Sequence, residues 1–492
     1  MAVDRFWLGL DLGTHAAKAM AVTDDGEVVG SDARPLTSWR DGAMHEQDPM
    51  QWWEAVAAAC RAAMDGLPKA AVGGLAVCGT SGTVLLVDAA TGTPRTSGLM
   101  YDDTRAAGEA GRANQAGADT WAALGHRIQP SWALPKLLWL LRERPDLIDG
   151  ARLVHQPDVI TRRLVGGPVP SDTSHALKTG FDLLAGAWPT EAFDELGVPA
   201  GVLPEVVGAG SVLGVVCADA AAATGIPEGT PVVAGMTDGC AAQLSAGAIT
   251  PGSWNSMLGT TLVLKGASDR LIRDPAGLLY SHLAPGGGWL PGGASSTGAG
   301  AVSARFGGRD LDELGRRAAE REPAGAVTYP LIARGERFPF SAPDAERFTL
   351  GQPVDEADEY AALLQGVAFV ERLCFDYLDL LGAPTGGELR LTGHGARSRY
   401  WCQLRADVLG RPVRLPANAE AGLGMAVLAA AGVTGRPVAE AAAGMVRITD
   451  GVEPRPDRTG RFHGPYLRLV DELAGRGWLP GEVADHAYAR AV

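Results

Sequence analysis

The stretch Phe6-Trp7-Leu8-Gly9-Leu10-Asp11-Leu12-Gly13-Thr14 decides the fold of this chain. It is predicted to be an apolar strand that ends in a carboxylate, Asp11, and a Gly-Thr turn. A second apolar strand is predicted over 16–22, and Asp25-Gly26 supplies the positive φ that a hairpin turn requires before a third strand. The chain is therefore predicted to open with three antiparallel strands.

The same pattern recurs after a Pro-Gly break at 246–252. Trp254 to Leu258 is predicted to be a strand, Gly259-Thr260 a turn, and Leu262 to Leu264 another strand. Between the two copies, apolar strands alternate with helical stretches, which favours an α/β fold. The repeat predicts two domains of related architecture facing one nucleotide.

Both Gly-Thr turns carry residue types that phosphoryl transfer needs. That chemistry requires a cradle for phosphates, a metal that neutralises them, and a base for the attacking hydroxyl. Gly13 lets the backbone approach a phosphate, Thr14 offers an amide and a hydroxyl, and Asp11 is a carboxylate that can hold Mg²⁺ directly or through water. Gly259 and Thr260 offer the same donors. An ordinary hairpin is the alternative interpretation.

The candidate base is Asp238, in the sequence Thr237-Asp238-Gly239. It follows an apolar strand that begins at Pro231, and it precedes a helix of small residues. A carboxylate at the C-terminal edge of a buried strand is placed to face a cleft. It can then accept the proton of an attacking hydroxyl. The alternative is that Asp238 only caps the following helix.

A third glycine cluster, Thr392-Gly393-His394-Gly395-Ala396, joins a predicted strand to a predicted helix. The backbone of such a loop can approach a purine closely, but a plain strand-to-helix turn is the alternative interpretation. Lys18, on the second strand, is as consistent with a solvated lysine as with a phosphate contact.

Length and composition exclude several classes of protein. The chain has 492 residues, more than one ordinary core holds, so two domains are expected, at 1–248 and 249–492. The formal net charge of −14, with both signs interspersed, argues against a nucleic-acid surface. No apolar stretch reaches the roughly 18 residues of a membrane span, and no signal-peptide pattern opens the chain. Six scattered cysteines favour reduced thiols. We therefore expect a cytoplasmic protein that binds neither nucleic acid nor membrane.

Together and in this order, these motifs resemble the FGGY family of carbohydrate kinases, and the resemblance covers nearly the whole chain. Further segments that match the family follow one another along the sequence. They are Met100 to Arg105, Pro157-Asp158, Ser171 to Ser174, Trp401 to Gln403, Ala406 to Val413 and Glu420 to Ala426.

The resemblance implies two actin-like, ribonuclease-H-like ATPase domains with a cleft between them. It implies an enzyme that uses ATP and Mg²⁺, with the sugar bound in the first domain and ATP mainly in the second; a homodimer is left open. Asp11, Thr14 and Asp238 match the family's catalytic residues, and Asp11 its metal ligand. His394 replaces the middle glycine usual in the family's adenosine loop. The ATP contacts implied are Thr14, Gly259, Thr260, Gly298, Gly393, Gly395, Ala396 and Ser398.

The identity of the sugar depends on the segment after the strand that ends at Cys78. Xylulokinase-like members carry Met-His-Gly there and glycerol kinases an Arg-Glu pair, whereas this chain has Gly79-Thr80-Ser81-Gly82-Thr83. The segment resembles the ribulokinase-like branch, so D-ribulose is the expected ketopentose, with D-xylulose or another polyol or ketose as the alternative. The expected sugar contacts are Asp11, His15, Thr80, Ser81, Asp102 and Asp238.

Two other classes of function stay open. An ATPase of the same fold that binds or moves other proteins would lack the sugar-facing segment. A sugar-binding regulator without catalysis is disfavoured because Asp11, Thr14 and Asp238 are retained together.

Overall fold

The structure, a computed structural model, describes residues 4–491. Its strands are, in chain order, β1 (Phe6–Leu12), β2 (Ala16–Thr23), β3 (Val28–Pro35), β4 (Trp39–Asp41), β5 (Met44–Gln47), β6 (Val72–Gly79), β7 (Val84–Asp88), β8 (Gly98–Leu99), β9 (Ala151–His155), β10 (Ser171–Asp172), β11 (Val206–Val207), β12 (Val212–Val215), β13 (Pro231–Val233), β14 (Trp254–Leu258), β15 (Leu262–Gly266), β16 (Tyr280–Leu283), β17 (Trp289–Ser295), β18 (Val327–Tyr329), β19 (Phe348–Leu350), β20 (Leu389–Thr392), β21 (Val413–Pro416) and β22 (Ile448–Val452).

Several helices begin at a carboxylate that accepts a backbone N–H, as Asp48 does from Met50 and Asp355 does from Asp358. The α-helices are α1 (Pro49–Ala63), α2 (Ala110–Ala116), α3 (Ala118–Leu124), α4 (Ala133–Glu143), α5 (Gln156–Val165), α6 (Thr173–Ala176), α7 (Thr190–Leu196), α8 (Ala218–Thr224), α9 (Asp238–Ser245), α10 (Gly300–Phe306), α11 (Leu311–Ala318), α12 (Glu356–Leu380), α13 (Arg399–Leu409), α14 (Ala421–Thr434), α15 (Val438–Met445), α16 (Pro456–Thr459), α17 (His463–Gly475) and α18 (Gly481–Arg490).

The predicted opening of the chain is confirmed. β1 pairs antiparallel with β2, and β2 pairs antiparallel with β3. Gly26 takes a positive φ of 82° in the turn between β2 and β3, as the Asp-Gly signal requires. These strands form one side of a six-stranded sheet with the order β12-β13-β6-β1-β2-β3, in which β1, β6 and β13 run parallel.

A second sheet repeats this topology, so the predicted duplication is confirmed. Its order is β16-β17-β15-β14-β20-β21-β22. β14 pairs antiparallel with β15 and parallel with β20, as β1 does with β2 and β6. β20 runs parallel to β21, and the edge strand β22 is antiparallel, as β13 and β12 are in the first sheet. The two Gly-Thr turns therefore occupy the same position in two related sheets.

Contacts divide the described chain into two compact units, each with its own core. The first extends to Gly247 and includes His282–Trp289 and Asn418–Arg447; the second comprises the other residues from Ala248 to the end of the described chain. The domain boundaries at 1–248 and 249–492 stay a prediction, because the compact units group residues by contact alone. A five-stranded antiparallel sheet, β4-β5-β8-β7-β9, also belongs to the first unit.

Helix α14 explains why a late segment joins the first unit. Its residues are almost all small or aliphatic, and it packs against β1, β6 and α9. A Cβ atom at Gly9 would lie only 1.7 Å from the carbonyl oxygen of Gly422. The backbones of β1 and α14 therefore touch, and no side chain fits between them.

No helix in residues 4–491 is long and apolar enough to cross a membrane.

The contact between β1 and α14 gives a direct test of the packing. Gly9→Ala should lower the midpoint of thermal unfolding, with a loss of roughly 3 kcal/mol, because the added methyl group overlaps the Gly422 carbonyl and the backbones must move apart. Gly111→Ala is the matched control, since nothing lies within 4 Å of a Cβ atom there. Inside a helix that change should be neutral or stabilising by up to about 1 kcal/mol. Equal midpoints for Gly9→Ala and the unchanged protein would contradict the packing.

Candidate active site

Three strand ends meet at one edge of the first sheet. Leu12 at the end of β1 pairs with Gly79 at the end of β6, and Gly79 bridges to Thr237, which follows β13. The three strands run parallel, so their carboxyl ends emerge at the same edge. The predicted catalytic residues Asp11 and Asp238 therefore lie at this edge, with the Thr80 loop between them.

The surroundings of the Asp11 carboxylate disfavour its negative charge. The pKa of Asp11 is raised to about 6, first because the group is buried and second because the charge of Asp238 repels it, while Lys18 opposes both effects. The Sγ atom of Cys78, the residue paired with Asp11 on β6, lies 3.5 Å from the Asp11 Oδ1 atom. Two carboxylates that repel each other at one sheet edge are suited to share a cation.

Asp238 is the first residue of α9, and hydrogen bonds at Asp238 and at the preceding Thr237 fix its position. Its Oδ1 atom accepts the backbone N–H of Gly239 at 2.7 Å. The N–H of Thr237 donates to the hydroxyl of Ser174 at 3.1 Å, and that hydroxyl also contacts the Thr237 hydroxyl. The Ser171–Ser174 segment that matched the family thus holds the backbone that presents Asp238.

The Gly13-Thr14 turn is supported by two residues that the sequence did not single out as site residues. Gln47 donates from Nε2 to the carbonyl oxygen of Thr14 at 2.6 Å. The hydroxyl of Tyr101 shares a side-chain hydrogen bond with Thr14, and the pKa of Tyr101 is raised by burial and by the charge of Asp102. His15, the predicted sugar contact beside Thr14, is exposed. Nothing local in the sequence signals Gln47; its role follows only from the packing of β5, in the five-stranded sheet, beside the turn after β1.

The predicted sugar loop is tied to the protein interior. The N–H and hydroxyl of Thr80 both donate to Oε1 of Gln156, at 2.8 and 2.7 Å, and Thr83 contacts the same hydroxyl. Thr80 is only 3% exposed. The Oγ atom of Ser81 is buried without a hydrogen-bond partner among the described residues. A sugar contact by Thr80 or Ser81 stays a prediction.

The two neighbouring aspartates of the other sugar segment differ in environment. Asp102 is partly exposed and bonds to Arg40 at 2.8 Å and to the His45 ring. Although burial opposes them, these two partners lower the pKa of Asp102 below its ordinary value. Asp103 is fully buried and accepts from the His45 N–H and from Arg105. Asp102 is therefore the one of the pair that can reach a ligand.

The nucleotide residues predicted in the second unit converge on the end of β14. The N–H of Ala299 donates to the carbonyl oxygen of Gly259 at 2.8 Å, and a Cβ atom at Gly298 would lie 2.4 Å from the carbonyl oxygen of Thr260. Gly298 therefore lies directly against the second Gly-Thr turn.

The third glycine cluster lies against the same strand end. Gly393 has a φ of 80°, and a Cβ atom there would lie 2.7 Å from the carbonyl oxygen of Leu258. A Cβ atom at Gly395 would lie 2.4 Å from the Leu258 side chain. Ala396 follows in the same short turn, and Ser398 caps α13 by accepting from Trp401 at 3.3 Å. Glycines therefore make the closest contacts of both loops, the one with Gly298 and the one with Gly393 and Gly395, to the end of β14.

The site fits a hydrated divalent cation better than a closed metal centre. Residues 4–491 contain no group of three or more His, Cys, Asp or Glu side chains placed to hold a metal. Mg²⁺ keeps several waters and needs only one or two carboxylates together with substrate phosphates. Asp11, with Asp238 close enough to raise its pKa, supplies such a donor set.

Comparisons with known proteins match nearly the whole chain. The model of the N-terminal domain of the FGGY family of carbohydrate kinases matches residues 6–245, and the model of its C-terminal domain matches residues 254–433. A xylulose kinase from Streptomyces rubiginosus is 31% identical over 96% of this chain and 98% of its own length. A xylulose kinase from Escherichia coli is 27% identical over 86% of this chain and 89% of its own length.

A solved structure covers the same span. The crystal structure of xylulose kinase from Rhodospirillum rubrum superposes with a TM-score of 0.87 at 27% identity, over 96% of this chain and 99% of that one. The two-domain α/β fold of these kinases, the actin-like ATPase fold, is therefore confirmed.

Because the surroundings of Asp11 disfavour its charge, we expect that removing this charge stabilises the protein. Folding raises the pKa of Asp11 from 3.8 to about 6, so its charge opposes folding fully above about pH 6, and the penalty fades as the pH falls from there to about 3.8. Asp11→Asn should therefore gain up to about 3 kcal/mol above pH 6 and progressively less below it. Thermal unfolding in a metal chelator on either side of pH 6 measures this difference.

The control for this experiment is Asp65→Asn, at an exposed position. It should leave the midpoint unchanged at both pH values. Added Mg²⁺ should raise the midpoint of the unchanged protein but not that of Asp11→Asn, because a ligand stabilises the state that binds it. A less stable Asp11→Asn above pH 6, or an equal response of both proteins to Mg²⁺, would contradict the assignment.

Proposed function

The chain belongs to the FGGY family of carbohydrate kinases, and from this premise we propose that it transfers the γ-phosphoryl group of ATP to a primary hydroxyl of a ketopentose, with D-xylulose as the first candidate. The observation that carries the proposal is the pair of carboxylates, Asp11 and Asp238, at the shared edge of β1, β6 and β13. A base and a metal ligand at one strand edge suit the attack of a hydroxyl on a phosphate.

Asp238 is the proposed base. As the sugar oxygen forms its bond to the γ-phosphorus, the bond from that phosphorus to the oxygen bridging to the β-phosphate breaks, and ADP leaves with that oxygen. The sugar hydroxyl loses its proton to the Asp238 carboxylate, which later releases it to water. Ser174 keeps Thr237, and hence Asp238, in place during these steps.

Asp11 and the Gly13-Thr14 turn have the complementary task. When bound, Mg²⁺ neutralises phosphate charge and orients the γ-phosphate for in-line attack. Asp11 would hold the ion directly or through water, and the same burial and the charge of Asp238 that raise its pKa would favour a bound cation beside it. The Thr14 amide and hydroxyl would receive phosphate oxygens, with the turn braced by Gln47.

The nucleotide contacts are proposed for the loops around Gly259. Gly259 and Thr260 offer amide and hydroxyl donors, and the close approach of Gly298, Gly393 and Gly395 to β14 leaves backbone without side-chain bulk. Ala396 and Ser398 would border the adenosine. The capping bond of Ser398 to Trp401 leaves a lone pair and a hydroxyl proton free to act there.

The choice of sugar revises the expectation from sequence. D-ribulose was expected from the Gly79–Thr83 segment, but relatives over nearly the whole chain carry the name xylulose kinase, which favours the alternative, D-xylulose. The environment of Thr80 supports the revision, because its hydroxyl already bonds to Gln156 and carries little weight in choosing a sugar. His15, which is exposed, and Asp102, which is partly exposed, are proposed to bind the sugar hydroxyls together with Ser81.

A panel of acceptors tests the proposed function. Initial rates of ADP release should depend on sugar, and kcat/KM for D-xylulose should exceed that for D-ribulose by about tenfold or more, because a wrongly placed hydroxyl leaves buried polar groups unpaired. Hexuloses, pentitols and glycerol complete the panel. ADP release at one rate with and without every acceptor would contradict a sugar kinase and favour an ATPase of the same fold. A preference for D-ribulose would contradict only the choice of sugar.

A further inference from the structure

Lys136 is a lysine with no exposed surface. It lies on α4, and its Nζ atom donates to the carbonyl oxygen of Gly82 at 2.9 Å and to that of Met100 at 2.6 Å. A buried ammonium is costly unless hydrogen bonds compensate for its lost hydration. Lysines are almost never fully buried without such partners, so this placement calls for a reason.

The two carbonyl groups belong to the two segments that carry the proposed sugar contacts. Gly82 lies in the loop with Thr80 and Ser81, and Met100 directly precedes Tyr101 and Asp102. One ammonium group therefore joins the loop after β6 to the segment after β8. These segments are separate in sequence, and the two hydrogen bonds of Lys136 fix the distance between them.

Charged residues near Lys136 bind to the same two segments. The pKa of Lys136 is lowered to about 7, first because the group is buried, whereas the nearby charge of Asp103 opposes the shift and that of Lys178 adds to it. Lys178 donates to the Ser81 carbonyl oxygen at 3.1 Å, so two successive carbonyls of the same loop accept lysine ammonium groups. Asp103, immobilised by Arg105, holds the other segment.

The segment that follows Met100 reaches the phosphate turn as well. Tyr101 bonds to Thr14, and Asp102 is held by Arg40 and His45. A displacement of Met100 would therefore shift both a proposed sugar contact and a group on the phosphate turn. The Nζ atom of Lys136 connects this segment to the Gly79–Thr83 loop, because it donates to the carbonyl oxygens of both Met100 and Gly82.

We propose that Lys136 is a positioning residue for the sugar, which sets the spacing of the Thr80-Ser81 loop and the Tyr101-Asp102 segment without touching the substrate. This inference rests on the proposed function. Loss of the ammonium removes a donor from the buried carbonyl oxygens of Gly82 and Met100, of which Met100 keeps the backbone N–H of Asp103. Losing a hydrogen-bond donor at a buried carbonyl group is costly, so the Gly82 loop in particular is expected to shift. Because the chemistry at a site tolerates little misplacement, sugar binding should suffer first.

Lys136→Met tests the proposal, since methionine keeps most of the volume and removes both hydrogen bonds. We expect the KM for the best sugar of the panel to rise about tenfold or more while the KM for ATP changes by less than about twofold. Leu140→Ala is the matched control: it is equally buried and lies on the same helix. It should lower thermal stability but leave both KM values unchanged within the same limit.

The outcomes separate the two proposals. If the unchanged protein shows sugar-dependent ADP release and Lys136→Met keeps its sugar KM, the positioning role fails and the proposed function stands. Equal increases in the KM values for sugar and ATP would also overturn the positioning role, because a general structural loss moves both. If the unchanged protein shows no sugar-dependent release with any acceptor, the proposed function fails and the inference fails with it.

A second measurement needs no variant and so survives a Lys136→Met protein that does not fold. Hydrogen–deuterium exchange of the unchanged protein should show that the best sugar of the panel slows exchange in 79–83 and in 100–104 together. Protection of only one segment, or of neither, would overturn the proposal that Lys136 couples the two segments.

Discussion

The backbone pairing of β1, β6 and β13 is the constraint on which the candidate site depends. Because the strands are parallel and Leu12, Gly79 and Thr237 lie in register, three loops leave the sheet at one edge. Neighbouring strands are about 4.8 Å apart, so the ends of β1 and β13 are separated by roughly 10 Å of backbone. Carboxylate side chains then span a distance that suits a hydrated cation and a phosphate. Helix α14 secures β1 from behind, through the backbone contact of Gly9 with Gly422.

The same geometry explains why the site is electrostatically costly. Asp11 is half-buried near a second carboxylate, and Lys18, which opposes the resulting rise in its pKa, also pairs with Glu420 at 3.2 Å. Residues that serve only the fold seldom keep such an arrangement, and perturbed carboxylates in a shared position are typical of functional sites. The cost of Asp11 to folding would thus be offset by the cation that we propose it holds.

Much of the fold could be predicted because its signals are local. The apolar run before Asp11, the Asp-Gly turn and the second Gly-Thr turn each specify a hairpin within about ten residues, and the two sheets repeat one topology around them. The position of Asp238 was predictable for the same reason, since a strand and a small-residue helix flank it. Gly298 was implied only by the resemblance to the family, and its packing on Thr260 places it beside the second Gly-Thr turn.

What could not be predicted depends on contacts between distant segments. Gln47 on β5 contacts Thr14 although β5 and β1 belong to different sheets. Lys136 connects two loops from a helix that carries no recognised motif. Helix α14 joins the first unit although it follows most of the second in sequence. The choice of sugar rested on the resemblance of the Gly79–Thr83 segment to one branch of the family, whereas relatives that match nearly the whole chain favour the alternative. The sequence also does not show that the Thr80 hydroxyl bonds to Gln156.

Asp238, as the proposed base, takes the proton of the sugar hydroxyl at this sheet edge. The turnover of Asp238→Asn with saturating ATP, Mg²⁺ and the best acceptor tests this role most directly. We expect kcat to fall by a factor of about 10² to 10⁴, with the KM for the sugar changed only a few-fold. Wild-type turnover by Asp238→Asn would contradict it.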